Sequence, residues 1–249
     1  MTVAQGNMRC QNCGSIKQGI SAAPPNKSYK SSGFIENRIF LPATPVTSSS
    51  NSTSNIKSKL TLTLDAGMHS VDLSPFKRFC SSAPYQEWLT TPGPNYYKLL
   101  AYLTKQLPTG SIVADLGTNY GNSAIAMASN EKIKVLTYDL TDLVNVYKLL
   151  PNISFRQKDC IQVVDEYINC PLIFLDIDPH DGIQEMRLME VLLQKNFKGL
   201  MLCDDIHHIP MQPFWNSIKL KKIDLTGWGH GTGTGAVIFD ETEVNLIVE

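Results

Sequence analysis

The stretch Ile112-Val-Ala-Asp-Leu-Gly-Thr-Asn-Tyr-Gly-Asn-Ser123 constrains the fold of this chain more than any other. Ile112, Val113 and Ala114 form a short apolar run suited to a strand, Asp115 stands at its carboxyl end, and Ala124 to Ala128 continue as good helix formers. Gly117 and Gly121 bracket the turn between them. Strand, terminal acid, glycine-bracketed turn and helix start together make the build of a nucleotide-cofactor site.

The turn narrows the choice of cofactor. Glycine lacks Cβ, so the backbone can adopt positive φ and a ligand can lie against it, while Asn122 and Ser123 suit a helix N-terminus whose free N–H groups attract an anion. A dinucleotide fingerprint asks for G-x-G-x-x-G, and this segment offers Gly117-x-x-x-Gly121 instead. Asp115 fits poorly beside a pyrophosphate and well beside an ammonium group. S-adenosylmethionine carries an amine, a carboxylate and a sulfonium, and so suits a mixed acid and helix-terminus site. A plain αβ turn with a structural Asp is the competing reading.

Two further strands end the same way. Lys134-Val-Leu-Thr-Tyr-Asp139 places a carboxylate where an α/β nucleotide site binds ribose hydroxyls. Ile153-Ser-Phe-Arg-Gln-Lys-Asp159 adds a third terminal acid, placed to accept from an adenine amino group. One such acid alone reads as a solvated strand end or an N-cap; three at the same edge read as a site.

The run Asp115-Leu-Gly-Thr-Asn-Tyr-Gly-Asn-Ser123 followed by Tyr138-Asp139 resembles the cofactor motifs of class I S-adenosylmethionine-dependent methyltransferases, over roughly residues 84 to 240. The resemblance implies that Asp115, Gly117, Thr118, Tyr120, Gly121, Ser123, Asp139, Asp159 and Asp176 hold the cofactor. Spermidine synthases share parts of the pattern, so the reaction has to be argued from other residues.

The chain has 249 residues, of which 43% are hydrophobic, enough for one large domain with a core. Its net charge of −1 gives no electrostatic case for nucleic acid or an anionic membrane. No apolar run approaches the ~20 residues of a membrane span, and no signal-peptide core stands at the N-terminus. The expectation is a cytoplasmic protein of open oligomeric state. Residues 1–58, with Pro24-Pro25 and the run Ser48 to Ser54, are too polar to offset their ordering entropy and read as a disordered segment ahead of a catalytic domain at 59–249. Cys10 and Cys13 supply only half of a zinc site. Cys80, Cys160, Cys170 and Cys203 are scattered and read as reduced thiols.

Between residues 84 and 107 a pattern of Trp, Tyr and Leu, broken at Thr91-Pro-Gly-Pro94, predicts a helix at the entrance to a sheet, with Tyr96 or Tyr97 able to line an acceptor pocket. Beyond it, strands are expected near 111–115, 133–138, 152–156, 171–177, 199–203, 219–224 and 235–239, and helices near 122–130, 141–149, 160–168, 182–195 and 210–217. Such alternation specifies an α/β fold with a mostly parallel, doubly wound, Rossmann-like sheet, its last two strands forming a hairpin. The family resemblance implies seven strands with the last antiparallel.

Two acid clusters follow the fourth and fifth of these strands: Asp176-Ile-Asp178-Pro-His180-Asp181 and Asp204-Asp205-Ile-His207-His208. Neighbouring strands lie about 4.8 Å apart, so these carboxylates would crowd one small space and raise one another's pKa unless a cation neutralises them. Mg²⁺ or Mn²⁺ resolves the crowding, with Asp176, Asp204 and Asp205 as ligands and Asp178 in reserve. N-caps ahead of Ile209 and Pro210 are the plainer reading of the second pair. The pattern resembles metal-dependent O-methyltransferases of the catechol, caffeoyl-coenzyme A and macrocin types. Catechol-type enzymes typically show Asp-Asn at the second cluster and a Lys soon after the first; here Asp204-Asp205 and Pro179-His180 stand instead, closer to the sugar-modifying branch.

The metal would lower the pKa of an acceptor hydroxyl so that a base near neutrality can take its proton. His207 is the first candidate for that base and His208 the second, with Asp204 beside them and His180 or His230 orienting the acceptor. Either of His207 and His208 alone also fits a hydrogen-bonded structural role. Three functions follow: O-methylation of a sugar or glycoconjugate, O-methylation of a phenolic or other small natural-product hydroxyl, and a cofactor-binding scaffold without chemistry. A scaffold needs none of Asp176, Asp204, Asp205 and His207.

Overall fold

The computed structural model describes residues 59–146 and 149–249. The Cys10–Cys13 pair and the segment 1–58 lie outside the described residues. Strands β2 (Ile112–Leu116), β3 (Lys134–Asp139), β4 (Ile153–Gln157), β5 (Leu172–Leu175), β6 (Leu200–Asp204), β7 (Lys221–Asp224) and β8 (Thr234–Ile238) form one sheet in the order β4-β3-β2-β5-β6-β8-β7. All neighbours run parallel except β8, which is antiparallel to both β6 and β7. The expected Rossmann-like α/β sheet of seven strands is present, and the antiparallel strand is its hairpin partner β8.

The central strands are apolar on both faces because helices cover both. Alternate residues divide between two cores. Val113, Val135, Phe174 and Leu202 pack with helices α2 (Tyr96–Thr104) and α3 (Asn122–Ala128); Leu116, Ile173, Leu175 and Cys203 pack with α4 (Ile183–Gln194) and α5 (Gln212–Ser217). Cys80, Cys160, Cys170 and Cys203 are free and buried. No helix among the described residues is long and apolar enough to cross a membrane.

Four departures from the sequence reading stand out. The alternating Leu60-Thr-Leu-Thr-Leu64 forms β1 (Leu60–Leu64), which pairs in parallel with β9 (Val244–Val248) as a separate small sheet. The Gln106 side chain extends that sheet by donating to Thr63 O and accepting from Thr63 N, both at 2.8 Å. The helix expected over 160–168 is a series of turns with one 3-10 turn at Val164–Glu166; Cys160, Val164 and Tyr167 reach the core at helical spacing without a helix. Residues 141–146 of the expected 141–149 helix form bends and a turn. The aromatic segment ahead of the sheet is likewise broken, into α1 (Ala83–Gln86), a 3-10 turn at Glu87–Thr90 and α2. Asn95 joins the pieces: it caps α2 by accepting from Tyr97 N and Lys98 N, and its amide donates to Trp88 O and Thr91 O.

Candidate functional site

In an open α/β sheet ligands settle at the carboxyl ends of the strands, where the strand order reverses. Here that switch lies between β2 and β5, since β2 continues to β3 on one side and meets β5 on the other. A cleft opens at this point, lined by Gly117, Thr118, Asn119, Tyr120, Asn122 and Ser123 from the β2–α3 turn. Asp176 and His180 enter after β5, Asp204 and Asp205 from the end of β6, His230 from the β7–β8 loop, and Tyr85, Trp88, Tyr96 and Tyr97 from the broken aromatic segment.

Gly117 shows why the turn needs glycine. Its φ is +104°, and a Cβ would stand 1.8 Å from the carbonyl oxygen of Asp176. The close neighbour is therefore the backbone leaving β5, where the sequence reading expected a ligand. This contact fixes the β2–α3 turn against the acidic strand end. Gly121 sits at φ +93° as the residue preceding α3, and a Cβ there would meet only ordinary side-chain contacts, so its conformation alone favours glycine.

The strand-end acids meet different fates. Asp115 is fully buried beneath the turn and is not part of the cleft wall. The Thr137 hydroxyl donates to it at 2.5 Å, and its Oδ1 has no partner. Burial pushes its pKa up to about 7, against the pull of the Thr137 and Ser123 hydroxyls. Asp139 accepts from the Asn119 and Thr141 amides, both at 2.8 Å. Asp159 accepts from Ile161 N and from the Gln162 side chain, both at 2.9 Å. Gly121, Asp139 and Asp159 also stand off the cleft wall, whereas Gly117, Thr118, Tyr120, Ser123 and Asp176 form it.

On the other side the acids crowd one another, with His180, His230 and Thr232 as their polar neighbours. Burial, with Asp204 and Asp205 nearby, raises the Asp176 pKa well above the usual carboxylate value, and burial raises that of Asp204 against the pull of His230. Asp204 Oδ1 is buried and unpartnered. Asp205 adopts φ +56° and His180 φ +55°, the left-handed region that costs a non-glycine residue about 1–3 kcal/mol and persists where surrounding structure imposes it. His180 stands among three acids, its Nε2 3.2 Å from Asp178 and 3.8 Å from Asp176, its Nδ1 3.7 Å from Asp205. The Asp178 hydrogen bond, opposed by burial and helped by the neighbouring charges, lifts its pKa to about 9. His180 is thereby an imidazolium that partly neutralises the cluster.

The histidines are where the sequence reading needs most correction. His207 and His208 do not line the cleft. His207 turns outward to Asp224, with Nε2 2.9 Å from Oδ2 and both side chains nearly half exposed. His230 takes the inward place instead: its Nε2 lies 3.4 Å from Asp204 Oδ2 and its ring meets Tyr96 edge-on at 5.0 Å. Burial lowers its pKa, and Asp204 and Asp205 more than reverse that, leaving it above the usual imidazole value. Ligand atoms of Asp204, Asp205 and His230 lie within 4.8 Å of one another, a spacing one metal ion can bridge, and Asp176 stands outside this group. The antiparallel register of β8 on β6, Asp204 opposite Thr234, is what carries the preceding glycine-rich loop over the β6 end.

Sequence reasoning missed Tyr85 and Asn122. The Tyr85 ring lies 4.3 Å from that of Trp88 and 4.5 Å from that of Tyr120, making one aromatic wall. Asn122 donates to Tyr85 O at 2.7 Å, while its own Oδ1 is buried without a partner. Only the helix-start pattern pointed to Asn122, and nothing local distinguished Tyr85 from core aromatics.

No protein-family model matches the chain, and no curated protein matches it. Among solved structures, a "putative caffeoyl-CoA O-methyltransferase" of Staphylococcus aureus is similar at 15% identity and TM-score 0.49, over 68% of this chain and 93% of that one. A methyltransferase from Geobacter sulfurreducens is similar at 15% identity and TM-score 0.45, over 58% and 78%. The MycE methyltransferase of the mycinamycin pathway, solved with Mg, SAH and mycinamycin VI, is similar at 14% identity and TM-score 0.37, over 46% and 33%. At such low identity these likenesses name no acceptor, and function has to come from this chain's own residues.

Proposed function

We propose that this protein is an S-adenosylmethionine-dependent O-methyltransferase, assisted by a divalent metal, whose acceptor is a hydroxyl of a sugar or glycoconjugate. The observation that carries the reading is a cleft with buried, unpartnered acceptors, Asn122 Oδ1 and Asp204 Oδ1, and with no Lys or Arg among the described residues of its wall. Buried acceptors without donors are costly, so such a cleft favours ligands that bring donors and positive charge. An ammonium, a sulfonium and a divalent cation suit it; a phosphate-rich cofactor or a coenzyme A acceptor does not.

S-adenosylmethionine would supply a methyl group on a sulfonium, and Mg²⁺ or Mn²⁺ held by Asp204 and Asp205, with Asp176 alongside, would supply a Lewis acid that acidifies the acceptor hydroxyl. The chain's residues do the rest. Asn122 Oδ1 accepts from the cofactor's ammonium. Asp139 holds the Asn119 amide and so shapes the turn that would meet the ribose, and Thr118, Tyr120 and Ser123 complete the turn around the cofactor. Trp88, half exposed at the mouth, offers a flat face to the apolar side of a sugar ring. His230 Nε2 takes the proton of the acceptor O–H. The oxygen then forms its bond to the methyl carbon as the carbon–sulfur bond breaks, leaving S-adenosylhomocysteine. Asp204 stabilises the imidazolium so formed, and much of the acceleration comes from holding two reactants in line.

A screen with methyl-labelled S-adenosylmethionine against mono- and oligosaccharides and catechols, with Mg²⁺ or with chelator, tests this. The expected result is label in a saccharide that collapses in chelator and returns with Mg²⁺ or Mn²⁺. Label only in catechols would transfer the reading to phenolic acceptors. Full activity in chelator would remove the metal from it.

A further inference from the structure

The amino-acid head of S-adenosylmethionine carries a carboxylate as well as an ammonium, and the cleft wall offers it neither Lys nor Arg among the described residues. A pair of tyrosines supplies a donor instead. Tyr96 and Tyr97 open helix α2, both buried in the wall, and their hydroxyls meet at 2.7 Å with Tyr96 donating. Tyr96 is fixed by ring contacts, its centroid 5.4 Å from that of Phe174 and 5.0 Å from that of His230, while Asn95 Oδ1 holds the Tyr97 backbone amide at 2.9 Å. A phenol has one proton, and Tyr97 accepts that of Tyr96 while no described residue accepts its own. Burial, with Asp176 and Asp204 nearby, keeps the Tyr97 hydroxyl protonated against the pull of Tyr96 and Asn122. Asn122 is its complement. The Nδ2 of Asn122 donates to Tyr85 O at 2.7 Å, which fixes the amide's orientation and leaves the buried Oδ1 bare. An unspent donor and an unspent acceptor thus share one part of the wall.

We infer that Tyr97 donates a hydrogen bond to the carboxylate of the cofactor's amino-acid head while Asn122 Oδ1 accepts from its ammonium, so that the two side chains read a zwitterion. Tyr96 is a positioning residue in this arrangement. By occupying the Tyr97 oxygen it leaves the Tyr97 hydrogen to point away from Tyr96, and its own hydrogen bond polarises that hydroxyl into a better donor. The head is neutral overall, so it enters a cleft of acids at less cost than a lone anion would. The inference rests on the S-adenosylmethionine reading and goes beyond it in one respect: the cleft selects the cofactor by its carboxylate. Decarboxylated S-adenosylmethionine, which keeps the sulfonium and the ammonium, is then a poor ligand.

The test is calorimetry on the full chain with two ligands, S-adenosylmethionine and its decarboxylated form. Wild type should prefer the first by roughly 10- to 100-fold, the range of a hydrogen bond to a charged group. Tyr97→Phe keeps the buried ring and should lose most of that preference, because S-adenosylmethionine binds more weakly while the decarboxylated form stays within about threefold of wild type. The decarboxylated ligand thereby reports that the variant still forms its cleft. Tyr96→Phe should lose a smaller part of the preference, roughly threefold. Asn122→Ala should weaken both ligands alike, since both bring the ammonium. A wild type without the preference, or a Tyr97→Phe protein that keeps it in full or weakens both ligands equally, overturns the inference. A wild type that binds neither ligand defeats the S-adenosylmethionine reading itself, and the inference with it.

Discussion

The two sides of the cleft end their strands in the same residue and treat it in opposite ways. On the β3 and β4 side, Asp139 and Asp159 are engaged by nearby amides and serve to shape turns. On the β5 and β6 side, Asp204 is buried and Asp176 half-buried among like charges, with an oxygen of Asp204 left bare. An acid whose hydrogen bonds are made by its own fold is a structural part. One that burial and its neighbours drive towards neutrality holds free energy that a cation or a proton transfer can use.

The comparison is broken most severely by Asp204→Ala, for which methyl transfer should fall by about 10²- to 10³-fold or more, as when a preorganised electrostatic group is removed. Asp139→Ala should instead weaken S-adenosylmethionine binding in calorimetry and leave turnover at saturating cofactor within about tenfold. Equal losses from both would erase the distinction between the two sides.

Gly117 joins them, and Gly117→Ala should disturb both. A methyl group aimed at the Asp176 carbonyl, on a residue at φ +104°, combines overpacking with backbone strain. Each is worth about 1–3 kcal/mol, so a loss of roughly 3 kcal/mol is expected, on the order of 10 °C in Tm. Thermal unfolding measures this directly.

His180 sharpens the acidic side. Its folded pKa of about 9 exceeds the ordinary imidazole value, so its contribution to stability is full below about pH 6.5 and is lost as pH rises through about 9. The stability gap between wild type and His180→Gln, read by denaturant titration, should therefore close between those limits. A gap constant with pH would mean that the imidazolium is not what binds the acids together.

The smallest effect is expected outside the cleft. His207→Ala removes an exposed pair with Asp224 and should change stability by less than about 1 kcal/mol.

The sheet was legible in the sequence because its strands are continuous apolar runs with acids at their ends, a pattern that survives without knowledge of neighbours. Turns were less legible: Cys160, Val164 and Tyr167 have the spacing of a helix face, and a chain of turns buries them equally well. The turn proposed to hold the cofactor could be read because it is one continuous segment. The other side could not, because it depends on which distant loop folds over β6. His207 is three residues from Asp204 in sequence and points away, while His230 reaches Asp204 through the antiparallel pairing of β8. Local order favoured the histidine that turns away from the cleft, and a long-range register brings the other to its wall.

Which histidine serves the reaction is decided by measuring methyl transfer to one acceptor in His230→Gln and His207→Gln side by side. A fall of at least about 10²-fold is expected in His230→Gln with S-adenosylmethionine binding retained, and near wild-type turnover in His207→Gln. A collapse in His207→Gln with His230→Gln still active would contradict that expectation.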